Sequence, residues 1–449
     1  MVLLLAMFIP EIDALSVAAL RTLCLAVAFF VCLISEALPL AISCWVALGM
    51  MPLIGVATTF GDALSGFANP VVFFILASFG IAAAFTTLPL SQRVMIALLR
   101  KFGKNIKLTL LSLMLCIMPV TFFVSSVPTC ALFMTIGLSF LGMYEDEAAK
   151  KATGRAFMIA IPVTCLIGGM ATPVGSSINL LAIDLLEQYT GLTISFVQWM
   201  SVGIPLVILT LPIAWLLIYH IYKPAEINPA MVERYIADLA VPPQLSQEEK
   251  KVMAVTVVML TLWILSSWFK QINITVVTLL GVCVLFFPGI KILEWQSFIR
   301  KVNLDSFFLV GTVLSIGKAM EINGVSAWIA SLFPTGPMSL FTFLVFVVTL
   351  VFLILVIMPV GPSVVMFMAM PVISLAQAMG FSPICVTMAL ALAAGNCYIL
   401  PLDTVPQLTY STGYYGMLDL PRSSVIIQIC LIVLIPSALW VAHALLGIM

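Results

Sequence analysis

Apolar residues run through this chain in segments so long, and so rarely broken by charge, that most of it suits only one solvent. Of 449 residues, 63% are hydrophobic and 8% charged, which excludes a soluble globular domain. A hydrocarbon core of about 30 Å takes ~20 apolar residues per helix. Inside it every backbone N–H and C=O must be met within the protein, so the spans are helices. Spans are expected at 16–34, 37–57, 68–88, 155–190, 196–220, 251–269, 273–290, 304–322, 382–417 and 423–447. Two further stretches, 108–143 and 338–379, are too long for one helix. Each is interrupted near its middle, at Ser125-Ser126-Val127-Pro128 and at Pro359-Val360-Gly361-Pro362. A Pro-containing break at mid-depth fits a re-entrant hairpin that enters and leaves on one side. A kinked pair of ordinary spans is the alternative.

Charge placement decides between them, because basic residues collect on the cytoplasmic side. If 108–143 is a hairpin, its flanks share a compartment, and both flanks are basic. Arg93, Arg100, Lys101, Lys104 and Lys107 precede it, and Lys150, Lys151 and Arg155 follow. Counting onward puts Lys223, Arg234, Lys250, Lys251, Lys291, Arg300, Lys301 and Arg422 inside as well, which makes 16 of the 19 basic residues. Arg21 and Lys270 fall outside, and Lys318 lies within a span. The hairpin reading therefore gives a strong asymmetry, with residues 222–250 as a cytoplasmic linker and both chain ends outside.

The chain also repeats itself. Phe73-Phe74-Ile75-Leu76-Ala77-Ser78 returns 234 residues later as Phe307-Phe308-Leu309-Val310-Gly311-Thr312, and Pro128 to Met134 returns at the same offset as Pro362 to Met368. A shared offset marks a duplicated unit. The span count places the second hairpin on the opposite side from the first, so the repeats are inverted, an arrangement suited to alternating access around a midplane site.

Other function classes find no footing. Basic and acidic residues balance at 19 each, so no basic face for nucleic acid is on offer. The ten cysteines stand singly without a Cys-x-x-Cys pair, and His220 and His443 are isolated. Disulfides, metal cofactors and His-based catalysis are not expected. No hydrolase or zinc-peptidase motif is present, so the chain is read as no enzyme. The N-terminus carries Glu11 and Asp13 and lacks a basic n-region, and so reads as the lead-in to the first span.

Two spans contain breaks that point to chemistry. One runs from Ile167-Gly168-Gly169 through Thr172-Pro173-Val174-Gly175-Ser176-Ser177-Ile178-Asn179, the other from Gly395-Asn396 through Pro401-Leu402-Asp403-Thr404-Val405-Pro406-Gln407. Unwound backbone at membrane depth is tolerated where it is buried in protein or lines a wet cavity. Helix N-termini there offer N–H groups to a carboxylate, sulfate or phosphate, and exposed carbonyls suit a monovalent cation. Asp403 costs at least ~2.5 kcal/mol to place in a membrane span. It reads as a Na⁺ ligand, a proton carrier, or the N-cap of the following half-helix. Lys318 and Glu321, three apart, read as an ion pair on one helix face or as part of an anion path. Trp199, Tyr219, Trp268, Trp295, Trp328 and Tyr414 read as interfacial anchors.

In these segments the sequence resembles the divalent anion:sodium symporters. Ser35-Glu36-Ala37-Leu38-Pro39-Leu40 is similar to that family's Thr-Glu-Ala-Leu-Pro-Leu. Gly168-Gly169 through Gly175-Ser176-Ser177-Ile178-Asn179 resembles its Gly-Gly…Gly-Thr-Pro-Pro-Asn. Leu400-Pro401-Leu402-Asp403-Thr404-Val405-Pro406-Gln407, followed by Thr412-Gly413-Tyr414, resembles its Leu-Pro-Val-Ala-Thr-Pro-Pro-Asn. The matches run in order over about residues 30–435. The resemblance implies an all-α integral membrane homodimer with inverted repeats. Each protomer would pair a scaffold with a transport domain that slides through the bilayer as an elevator. It also implies that the hairpin tips, Ser-Asn-Thr in the family, help hold substrate carboxylates and shape two sodium sites. Here the tips read Ser125-Ser126-Val127 and Gly361-Pro362-Ser363. Both have lost the Asn amide, which offers donor and acceptor together.

The expected architecture is about ten or eleven spans with two hairpins and two broken helices. N-terminal scaffold spans would occupy 1–67, first-repeat transport elements 68–190, scaffold spans and linker 191–303, second-repeat transport elements 304–417, and the last span 418–449. Candidate substrate contacts are Ser125, Ser126, Thr129, Ser176, Ser177, Asn179, Ser363 and Thr404. Candidate coupling-ion positions are Ser125, Thr172, Gly175, Gly361, Ser363, Asp403 and Thr404. The expected activity is cation-coupled transport of a small anion, a di- or tricarboxylate first, with Na⁺ or H⁺ as coupling ion. The expected setting is a bacterial cytoplasmic membrane. A sodium-independent carboxylate exchanger and a sulfate permease are the alternatives.

Overall fold

The computed structural model describes residues 15–35, 37–103, 105–242, 244–269, 271–302, 304–325, 328, 331, 338–357 and 359–444. Glu11, Asp13, Glu36, Lys104, Pro243, Lys270 and both chain ends lie outside them, and so does the expected placement of the termini. The regular elements among the described residues are helices. The first half holds α1 (Val17–Ser35), α2 (Leu40–Leu53), α3 (Pro70–Thr87), α4 (Leu90–Phe102), α5 (Ile106–Thr121), α6 (Ser126–Leu141), α7 (Glu147–Gly169), α8 (Ser177–Thr190) and α9 (Phe196–Tyr222). A linker helix α10 (Pro229–Asp238) follows. The second half holds α11 (Gln247–Leu265), α12 (Ile274–Val284), α13 (Trp295–Lys301), α14 (Leu304–Ile322), α15 (Leu340–Ile357), α16 (Gly361–Ala378), α17 (Pro383–Ala394), α18 (Thr404–Tyr410) and α19 (Asp419–Ala444).

Helices α3, α7, α9, α16 and α19 are long and apolar enough to cross a membrane by themselves, and several shorter apolar helices accompany them. They differ in what surrounds them. The apolar stretch of α7 is 89% buried, enclosed by α5, α6, α9 and α18, whereas that of α19 is only 39% buried. Outward-facing Ile208, Leu209, Val257, Val258, Leu280, Leu353, Ile429 and Val433 form the apolar surface that a bilayer would cover.

Polar residues set the helix ends. Asn69 caps α3, Asn105 caps α5, Asp146 caps α7, and Ser195 and Ser246 open α9 and α11 with reciprocal capping boxes. The expected breaks within 108–143 and 338–379 are present but displaced by a few residues. Helix α5 ends at Thr121 and α6 starts at Ser126, so Val127 and Pro128 lie in its first turn. The second break falls before Gly361, which leaves Pro362 likewise in a first turn. The first-turn N–H groups have no intrahelical acceptor, so a proline there forfeits nothing.

Side-chain bonds gather the helix ends into two faces. On one, Arg93 Nε donates to Glu249 Oε1 at 2.5 Å and its guanidinium also reaches the carbonyls of Pro242 and Gln244. On the same face Thr153 Oγ1 accepts from the Ala225 N–H, Tyr222 Oη donates to the Asp419 carbonyl, and Lys301 Nζ donates to Thr87 Oγ1. These segments are the ones the charge count assigned to a single compartment. On the other face Arg21 Nη1 donates to the Ile54 carbonyl, Asn323 Nδ2 bonds Thr22 and Val56, and Asn69 Nδ2 bonds Asp184.

Candidate functional site

Four interruptions in the helices meet at one place: the turn between α5 and α6, the break between α7 and α8, the turn before α16, and the break between α17 and α18. The first pair is tied by Thr172. Its hydroxyl donates to the Phe122 carbonyl at 2.8 Å and accepts the Gly175 N–H at 3.0 Å, capping the short turn Pro173–Gly175. Ser126 Oγ donates to the Cys165 carbonyl at 3.1 Å. Gly175 is pressed so closely between strands of backbone that a Cβ would lie 2.9 Å from the Gly169 oxygen and 3.0 Å from that of Thr121. The second pair meets the first at Gly361, where a Cβ would lie 2.5 Å from Ile178 Cδ1 and 2.7 Å from the Ala394 oxygen. Cys130 Sγ, on α6, reaches the Val405 carbonyl at 3.4 Å and closes the ring of elements.

Several residues expected to face a ligand also hold the breaks in shape. The Asn179 amide, 1% exposed, donates to the Gly169 carbonyl at 2.9 Å and the Thr172 carbonyl at 3.0 Å. The Thr129 hydroxyl donates to the carbonyls of Val124 and Ser125, closing its own turn. Ser176 caps α8 by accepting the Ile178 N–H at 3.3 Å. Ser125 and Ser177 stay half-buried at the first turns of α6 and α8. Unwinding a helix frees carbonyls that must be met inside the membrane, and Asn179 and Thr129 meet four of them. Trp199 belongs to the same group. It is fully buried, not an interfacial anchor, and its Nε1–H donates to the Met170 carbonyl at 2.9 Å. An indole N–H placed four residues after the capping serine of α9 was the available signal, since a buried Trp usually needs an acceptor.

The second break is less completely satisfied. Asn396 Nδ2 donates to the Leu392 carbonyl at 2.7 Å, and Gln428 Nε2 donates to the Asn396 carbonyl at 2.9 Å. Asn396 Oδ1, Tyr398 Oη, Thr387 Oγ1 and Ser363 Oγ are buried without a hydrogen-bond partner among the described residues. Asp403 caps α18 by accepting the Val405 N–H at 3.1 Å, which fulfils the capping reading without excluding the others, because a carboxylate has further lone pairs. A cavity of about 490 Å³ opens onto this break. Pro359, Val360, Asp403, Thr404 and Gln407 line it, with Asp305 and Leu309 of α14 and residues Leu38 to Leu40 opposite. Of the candidate residues, Asp403 and Thr404 alone are in its lining. Asp305, Gln407 and Asn396 were not singled out from the sequence as site residues. Asp305 lies near the start of α14, and only folding brings it into the same cavity as Asp403.

A second cavity of about 490 Å³ lies at the far ends of α2 and α14, lined among others by Thr58, Asp62, Ser65, Ser315, Lys318 and Asn323. Lys318 is exposed there and belongs to none of the ion pairs among the described residues, so the expected pair with Glu321 does not form. Residues 305 and 318 are ~20 Å apart at 1.5 Å per residue, so the two cavities approach opposite ends of one helix pair.

Known proteins resemble this chain in sequence and in fold. The chain is 24% identical over 407 residues to the "Sodium-dependent dicarboxylate transporter SdcS" of Staphylococcus aureus, covering 83% of this chain and 76% of that one. It is also 24% identical over 374 residues to a "Membrane protein" of Cupriavidus necator, covering 79% and 72%. The crystal structure of the Alcanivorax borkumensis YdaH transporter matches its fold with a TM-score of 0.56 at 14% identity, over 86% of this chain and 88% of that one. The pattern described as "Sodium:sulfate symporter transmembrane region" matches residues 1–448. The interrupted helices and the cavity at Asp403 thus belong to an integral membrane transporter, and the chain is a member of the sodium:sulfate symporter family.

Proposed function

We propose that this protein is a secondary active transporter of small dianions, dicarboxylates first, coupled to a cation and working by alternating access. The observation that carries the proposal is the junction of four helix interruptions beside a cavity that stops at the second break. Helix N-termini at such a junction present N–H groups and partial positive charge to an anion. The cavity supplies no basic side chain, only Asp305 and Asp403. A dianion arriving there is therefore best accompanied by cations, with Asp403 in the cavity lining as their natural host. Energetics agree, since one uncompensated charge moved against the potential costs ~2.3 kcal/mol per 100 mV. Inverted repeats, an elevator movement of 68–190 and 304–417 against the rest, a homodimer and a bacterial cytoplasmic membrane complete the reading. The Arg93, Lys301 and Arg422 face then lies in the cytoplasm. The 24% identity to a sodium-dependent dicarboxylate transporter supports the substrate class.

The test is uptake of radiolabelled succinate, citrate and sulfate into proteoliposomes with and without an inward Na⁺ or H⁺ gradient. Gradient-driven accumulation of one of them is expected. Replacing Asp403 with Asn is expected to change the cation or pH dependence of flux at least several-fold while leaving protein yield unchanged. Identical ion dependence in wild type and Asp403→Asn removes Asp403 from coupling. A second reading, carboxylate exchange without sodium, is favoured by the loss of Asn from both hairpin tips. Counterflow that proceeds equally with no Na⁺ present selects it.

A further inference from the structure

The cavity at the far ends of α2 and α14 holds a pair of charges that the membrane ordinarily sorts elsewhere. Of the 19 basic residues, charge counting leaves Arg21, Lys270 and Lys318 off the cytoplasmic face. Two of those three converge on this one cavity. Lys318 lines it directly. Arg21 stands behind its wall: Nη1 donates to the Ile54 carbonyl, and a methyl group on the cavity-lining Gly55 would lie 3.2 Å from that nitrogen. Asp62, the carboxylate in the lining, is engaged locally, accepting from the Thr59 N–H and hydroxyl at 2.9 Å each. The hydroxyls of Thr58, Ser65 and Ser315 and the amide of Asn323 complete the polar wall. Basic residues are disfavoured outside the cytoplasmic side, so a lysine kept there outside every ion pair among the described residues calls for a use.

We propose that this cavity is a capture site for small dianions on the face opposite the Asp403 cavity, with Lys318 as the binding charge. Asp62 keeps its charge but forms no ion pair with Lys318 among the described residues, so the ammonium stays open to an anion, whose local concentration a lysine in a cleft with low-dielectric walls raises. The two ends of the helix pair then differ: Lys318 gathers the anion at one, and Asp305 and Asp403 attract cations at the other. The proposal deepens the transport reading and rests on it for the choice of ligand, while the site itself is testable without transport.

Thr58 lines the cavity and is exposed, so Thr58→Cys places a thiol in it. The full-length protein in sealed liposomes is treated from each side with two membrane-impermeant methanethiosulfonates, one carrying a sulfonate and the other a trimethylammonium. Labelling at position 58 is read by mass spectrometry, which leaves the native cysteines in place. The expected result is faster labelling by the sulfonate reagent, from one side only. That preference should fall roughly three- to tenfold on adding Lys318→Gln, the scale of one close charge in a partly wet cleft, and should survive Lys318→Arg. Millimolar succinate or sulfate should slow the sulfonate reagent in the Lys318 protein and not in Lys318→Gln. A preference unchanged by Lys318→Gln overturns the proposal, and so does equal protection by the two anions in both proteins. If neither anion is transported but the charge preference behaves as expected, the capture site stands and the dianion transport reading fails.

Discussion

Replacing Asn179 separates the two roles that an asparagine in a broken membrane helix can have. In the structure its amide donates at 2.9 and 3.0 Å to the carbonyls of Gly169 and Thr172, the two ends of the unwound segment. Asn179→Ala removes both donors. A side-chain hydrogen bond within a membrane protein is worth ~0.6 to 1.7 kcal/mol, and a buried carbonyl left without a partner costs about 1–3 kcal/mol. Because the two estimates overlap, the loss for the pair is about 2–4 kcal/mol. The size scaling of unfolding entropy gives ~1–2 °C per kcal/mol for a chain of this length, so the midpoint should fall by about 2–8 °C. Asn179→Asp should fall further, because it sets a second carboxylate oxygen against the same two carbonyls. The assay is a heat challenge of the detergent-solubilised protein followed by size-exclusion chromatography, with and without succinate or sulfate. If Asn179→Ala melts like the wild type and loses only the stabilisation given by the anion, the amide faces the substrate and the structural reasoning is wrong.

Gly361→Ala should lower the melting midpoint and abolish most transport, since overpacking costs about 1–3 kcal/mol and the new Cβ meets both Ile178 Cδ1 and the Ala394 oxygen. Adding Ile178→Val removes the first of these contacts and should restore part of the loss, and a double variant no better than the single one refutes the steric account. The Arg93 guanidinium holds the Glu249 carboxyl below the usual carboxylate range. A depressed folded-state value means that the tie is fully present above the ordinary carboxylate pKa and is lost as pH falls through the lower, folded one. Limited proteolysis around Gln244 should therefore be slow at pH 5 and 7 in wild type and several-fold faster at both in Glu249→Gln; equal rates at pH 7 refute the clamp.

Much of the membrane architecture was legible because the bilayer enforces a simple code. The expected break within 108–143 separates α5 from α6, and the expected breaks within 155–190 and 382–417 separate α7 from α8 and α17 from α18. Proline marked the breaks, although its place in a first turn moved each by a few residues. The roles of individual polar residues were much less legible. Thr129, Thr172 and Asn179 carry groups that would suit a ligand, but whether a hydroxyl or amide faces a ligand or a freed carbonyl depends on how the broken backbone turns, and for Thr172 on Phe122, 50 residues away. Trp199 shows the same limit from the other side, since its position near a span end resembles an anchor and only the fold reveals the Met170 carbonyl beside it. The cavity faced by Asp403 draws on α1, α2, α14 and the tip before α16, and no local pattern joins them.

The Trp199 bond has a consequence for biogenesis. The carbonyl it satisfies belongs to the unwound stretch after α7, but the indole arrives on α9, about thirty residues later in synthesis. Until that helix has left the ribosome and entered the bilayer, the Met170 oxygen lacks this donor, and water or another donor must attend it. The first-half site therefore cannot set into its final shape when its own two helices are made. Insertion of α9 is the step that locks it, and a nascent chain halted before residue 199 should leave this segment open to water and to membrane quality control.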